Sequence, residues 1–144
     1  MKTKLMLLAA AVALSGCNSM DNIPDPSPEQ EKAAQLAYED LRDGKYDEFL
    51  DQLEPQLQTQ FKDNEKLMKR FSRSIPQGEY KSKTLMTKEI EEATNQLGQY
   101  KVSYEIAYPK NLVQYDVSFD EGTNVLTATN QPKIRNLNIQ VFGE

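Results

Sequence analysis

The hydrophobic pattern changes its period at Pro76-Gln77-Gly78, and this switch constrains the fold more than any other feature of the chain. Before it, apolar residues recur three and four positions apart, which places them on one side of a helix. After it they recur at every second position, which places them on one face of a strand. Helices grouped ahead of strands belong to the α+β class. One-sided alternation adds that the sheet has one buried face and one wet face.

Ser27-Pro28-Glu29-Gln30 has the chemistry of a helix start, with Ser as N-cap, Pro in the first turn and Gln at the third position. Ala33, Ala34, Leu36, Ala37 and Leu41 then share one side as far as Arg42, and Asp43-Gly44 stops the run. Tyr46, Phe49, Leu50 and Leu53 predict a second, short helix closed before Pro55. A third helix is predicted from about Pro55 to Ser74, with Leu57, Phe61, Leu67, Met68, Phe71 and Ile75 inward. Beyond Gly78, Tyr80, Ser82, Thr84, Met86 and Ile90 alternate with Glu79, Lys81, Lys83 and Glu89. Tyr100, Val102, Tyr104, Ile106 and Tyr108 form a second alternating set, and Val113, Tyr115, Val117 and Phe119 a third. A hairpin loop at Asp120-Glu121-Gly122-Thr123-Asn124 and a short strand Val125 to Ala128 follow. Ile134, Leu137, Ile139 and Val141 make the last strand, with Pro132 at an edge or bend.

The N-terminus has a different organisation. Lys2 and Lys4 precede ten unbroken apolar residues, Leu5 to Leu14, a run too short to span a bilayer but right for the core of a secretory leader. Leu14-Ser15-Gly16-Cys17 follows, and it resembles the lipobox of bacterial lipoproteins. The resemblance implies removal of residues 1–16, a diacylglyceryl thioether on Cys17 and acylation of the new amino group. Two or more acyl chains give stable anchoring where one is marginal. An ordinary secretory signal that ends near a cysteine is the plainer reading of the same residues. Asn18 is not the Asp that retains such lipoproteins in the inner membrane, so the periplasmic face of the outer membrane is the expected location. Residues 17–27 then read as the lipidated cysteine and a tether. Pro24, Pro26 and Pro28 disfavour helix and suit a semi-extended spacer. A chain begun at Ser27 is accordingly expected to melt close to one begun at Asn18. The alternative is an ordered edge segment packed on the domain of residues 28–144.

Helices ahead of an antiparallel sheet, with Asp43-Gly44-Lys45-Tyr46-Asp47 between the first two helices and Ile75-Pro76-Gln77-Gly78 before the first strand, resemble the nuclear-transport-factor-2-like, cystatin-like superfamily. That resemblance covers residues 28–144 and implies a curved sheet forming a cone with the helices. Another α+β roll is the competing architecture. Enzymes of that superfamily isomerise or dehydrate ligands within the cone, using an Asp base with a Tyr donor or a His–Asp pair. The second arrangement is impossible in a chain without His. The first needs an inward carboxylate, whereas the alternation puts Glu105 and Asp116 on wet faces.

Composition closes further routes. No His and a single Cys exclude His-dependent triads, a thiolate metal cage and an internal disulfide. Asp116, Asp120 and Glu121 lack calcium-loop spacing, so no metal and no cofactor are expected. Setting aside Lys2 and Lys4 leaves 15 basic against 22 acidic residues, a net charge of −7 from Cys17 onward, which argues against nucleic acid as a partner. Tyr100, Tyr104, Tyr108 and Tyr115 are the candidate ligand-pocket residues, the alternative being a packed core whose hydroxyls reach the rim or a carbonyl. Lys66, Lys69, Arg70 and Arg73 form a basic cluster, and Glu89, Glu91 and Glu92 an acidic one. The basic cluster is either a solvated face or a contact for an acidic partner or phospholipid head groups. The expected function is a lipid-anchored envelope protein that binds a partner protein or a small apolar ligand. An isomerase/dehydratase and an inhibitor or immunity-type lipoprotein are the alternatives.

Overall fold

The computed structural model describes residues 22–92, 98–120 and 132–143. The lipobox with Cys17, the hairpin loop and the strand expected at Val125 to Ala128 lie outside them. Among these residues four helices come first, α1 (Pro28–Arg42), α2 (Tyr46–Asp51), α3 (Pro55–Asp63) and α4 (Glu65–Ser74). Four strands follow, β1 (Ser82–Glu91), β2 (Gln99–Ala107), β3 (Asn111–Asp120) and β4 (Ile134–Gly143).

Local chemistry accounts for most boundaries. The Gln30 amide donates to Ser27 Oγ at 3.1 Å, and the Ser27 amide donates to Gln30 Oε1 at 2.9 Å, a reciprocal capping box at the start of α1. Gly44 at φ 75° ends that helix in the left-handed conformation glycine adopts freely. The single third helix expected from Pro55 to Ser74 is two helices, and Asn64 divides them. Its backbone leaves the helical region at φ −135° and ψ 70°, and its side chain accepts the Leu67 amide, capping α4. Asn competes with the helix backbone for hydrogen bonds, which makes it a better cap than an interior residue.

The strands form an antiparallel meander in the order β1-β2-β3-β4, and the helices cover one face of it. The sheet is neither closed nor curled, so the cone implied by the nuclear-transport-factor-2-like, cystatin-like resemblance is not the architecture of this chain. Curling a sheet takes bulges and glycine kinks along its strands. Among the described residues no strand has an interior glycine, and register irregularities occur only at Leu85/Thr87 and Ser118/Phe119.

Inward residues of β2 and β3 are those the alternation selects. Tyr104 lies opposite Tyr115 and Val102 opposite Val117, all buried. β1 is different. Lys83 lies opposite Ile106 and Leu85 opposite Tyr104, so these two face the helices, while Ser82 and Thr84 face solvent. Met86 is the extra residue of a bulge, which returns Lys88 and Ile90 to the helix side, opposite Val102 and Tyr100. The expected parity therefore fails over Ser82 to Met86 and holds again at Ile90. The helix layer is stitched to the sheet at Leu53, which bridges in parallel to Ile134.

The proline-rich segment is docked from Ile23 onward rather than hanging free. Lys88 Nζ donates to the Ile23 carbonyl at 2.8 Å and to Asp25 Oδ1 at 2.9 Å. The Tyr100 hydroxyl donates to the Pro24 carbonyl at 2.6 Å, Ile23 packs on the core and Pro26 is buried. Alternate prolines forbid a sheet ladder, yet they leave carbonyls free to accept from side chains, and three side-chain bonds do the work.

Candidate functional site

The four candidate tyrosines come together on the helix-facing side of β2, β3 and the turn between them, and all four are buried. Tyr104 and Tyr115 stack with centroids 6.3 Å apart, Tyr38 of α1 lies 5.1 Å from Tyr115, and Tyr80 meets Tyr108 edge-on at 6.1 Å. Tyr115 donates to the Ala34 carbonyl at 2.8 Å, and the Tyr38 and Tyr108 hydroxyls share a 2.8 Å bond. With Tyr100 on Pro24, three of the four fasten α1 and the segment before it to the sheet. Tyr104 Oη has no partner among the described residues. The space left beside Tyr38, Tyr80, Tyr104 and Tyr115 is about 10 Å³. Small-molecule sites occupy about 300–1,000 Å³, so these rings pack against one another instead of walling a cavity. Burial pushes all four phenols up from their usual value, that of Tyr104 to about 12.

Among the described residues no buried carboxylate joins them, and the half-buried Glu39 lies at the edge of the same space. Among the described residues the buried polar side chains are Gln30, Ser72 and Ser118. Asp116 lies on the outer face with Ser103, whose hydroxyl donates to it, and Gln114 lies across from Glu105. No group of three His, Cys, Asp or Glu capable of holding a metal occurs among the described residues.

The remaining candidate regions lie on the surface, where three of them differ in chemistry. A cleft of about 290 Å³ opens where α3 begins and β4 begins, with Glu54, Glu91, Glu92 and Arg135 on its walls. Arg135 is the hub of this cleft. Its Nε meets Glu54 Oε1 at 3.1 Å, one terminal nitrogen meets Asp120 Oδ2 at 3.4 Å, and the other donates to the Gly98 carbonyl at 3.2 Å. A planar guanidinium engaged on several sides is a rigid fixture, and the acidic rim suits hydrogen-bond donors or cations. The outer sheet face is the second region, a polar field of Thr84, Thr87, Ser103, Gln114, Asn138 and Gln140 that ends at the exposed pair Leu112 and Phe142. The third is the solvent side of α4, where Lys66, Lys69, Arg70 and Arg73 are all exposed. The acidic cluster is partly neutralised, because Lys101 lies 3.8 Å from Glu89 and 3.4 Å from Glu91.

Sequence reasoning missed Lys88 and Arg135. Arg135 had a signal, since it is the sole charged residue within Ile134–Gly143. Lys88 had one too, since the alternation through Met86 and Ile90 puts a cation at an inward position. Comparison with protein-family models, curated proteins and solved structures finds no match.

Proposed function

We propose that this chain is a lipid-anchored binding protein of the cell envelope, held by Cys17 at the periplasmic face of the outer membrane and acting through its surface. The observation that carries the reading is Leu14-Ser15-Gly16-Cys17 directly after a ten-residue apolar run. The packed tyrosine interior supports the second half of it, since a small apolar ligand finds no room there and an envelope protein or the membrane itself meets the surface. The isomerase reading loses its premise with the cone. Docking of the chain from Ile23 adds a constraint. Only residues 18–22 separate Cys17 from the docked segment, a reach of at most ~22 Å. The domain therefore works against the bilayer rather than far from it.

Metabolic labelling with a traceable fatty acid tests the anchor. The parent chain is expected to take up label and mature, and Cys17→Ser to remain an unlabelled, uncleaved precursor. Normal maturation and membrane retention of Cys17→Ser would sink the reading.

A further inference from the structure

The fourth helix separates its packing from its charge. At about 100° per residue, Lys66, Lys69, Arg70 and Arg73 fall within an arc of about 100°, and the buried Met68 and Ser72 lie on the opposite side. None of the four forms an ion pair with a described residue. Like charges three and four positions apart repel, so the helix holds an arrangement its own stability disfavours. With Lys62, residues 62–73 carry five cations against Asp63 and Glu65, while the rest of the chain from Cys17 carries a net charge of −10. A shallow depression lined by Asn64, Lys66, Leu67, Arg70 and Arg73 puts ammonium and guanidinium donors beside one half-buried leucine. That combination suits a phosphodiester with hydrocarbon beneath it.

The anchor selects the occupant. The docked segment meets the helix-facing residues Lys88 and Tyr100, and α4 packs against β4 and α1, so both lie on the helix-covered side of the sheet. On that side α2 shows Asp47, Glu48 and Asp51 to solvent, and an anionic surface that attracts α4 repels them. Charge thus sets the tilt of a domain that its short tether keeps beside the bilayer. We propose that α4 docks through Lys66, Lys69, Arg70 and Arg73 on anionic phospholipid head groups of the leaflet that holds the Cys17 lipid. This inference rests on the lipid-anchored reading and adds an orientation to it. An acidic protein offers similar charge, but the short tether keeps the leaflet constantly within reach of α4.

The acylated chain, reconstituted into vesicles of phosphatidylcholine with or without phosphatidylglycerol, provides the test. Cys17 is the only cysteine and acylation consumes its thiol, so Glu65→Cys at the start of α4 takes a fluorophore specifically, with Asp47→Cys as the reference site. A head-group-borne quencher is expected to reach the Glu65→Cys label on phosphatidylglycerol vesicles and the Asp47→Cys label far less. Lys66→Gln, Lys69→Gln, Arg70→Gln and Arg73→Gln keep good helix formers, and each is expected to lower the docked-to-undocked ratio roughly fivefold. Added salt acts in the same direction. Equal quenching on both vesicle types, or quenching indifferent to the four substitutions, overturns the proposal and leaves the stripe to an acidic protein. A chain that fails to float with either vesicle type at high salt refutes the anchor itself, and with it the inference built upon it.

Discussion

Tyr104 sits where a core tyrosine is least comfortable, with its ring stacked on Tyr115, the Lys83 ammonium 5.1 Å from its ring centre and no described partner for its hydroxyl. A buried hydroxyl without a partner carries a desolvation penalty, so Tyr104→Phe removes a cost and keeps the packing. Urea unfolding is expected to show Tyr104→Phe at least as stable as the parent, and Tyr104→Ala less stable by about 3–5 kcal/mol. A loss near 1 kcal/mol for Tyr104→Phe, the size of a buried hydrogen bond, would show that the hydroxyl is bonded after all. The inward position of Tyr104 is legible from alternation, but hydroxyl partners are not. Those of Tyr100, Tyr115 and Tyr108 lie 76, 81 and 70 positions away.

At the scale of elements, the informative piece is the segment before α1. Its ion pair is minor, because Asp25 keeps 79% of its side chain in water. The Ile23 and Pro24 carbonyls and the burial of Ile23 and Pro26 matter more. A chain begun at Ser27 strips the acceptors from Lys88 and Tyr100, so its stability is expected to fall by roughly 2 kcal/mol and its melting temperature by several degrees. Coincident melting of chains begun at Ser27 and Asn18 would show that the docked segment contributes nothing. Alternate prolines do announce an extended backbone, but an extended segment hangs free or lies down according to what donors face it. Here the bulge at Met86 turns Lys88 toward it.

For the whole molecule, the interior of the helix–sheet sandwich is unusually rich in phenols. Burial raises those of Tyr38, Tyr100, Tyr104, Tyr108 and Tyr115 above the ordinary value of 10.0. The unfolded chain ionises these groups near pH 10, while the folded chain keeps them neutral. Their contribution to stability is therefore intact below about pH 10 and declines as the pH rises through the folded values, that of Tyr104 being about 12. Tyrosinate absorbance from these five is expected to appear together with the loss of near-ultraviolet circular dichroism, in one cooperative step. Gradual ionisation of all five with that signal preserved would mean that water reaches the interior.

The α+β class, the placing of helices before strands, the capping box at Ser27 and the inward tyrosines were determined by the sequence alone, because each depends on residues within a turn or a strand of one another. Tertiary structure alone decided the rest. Alternation defines two faces but does not say which is inside. In β1, where neither face is strongly apolar, pairing with Tyr104 and Ile106 made the choice. Curvature depends on kinks shared between strands, and the open sheet follows from their scarcity. Placement of the proline-rich segment depends on Lys88 and Tyr100, both more than 60 residues away along the chain, which only the folded molecule brings against it.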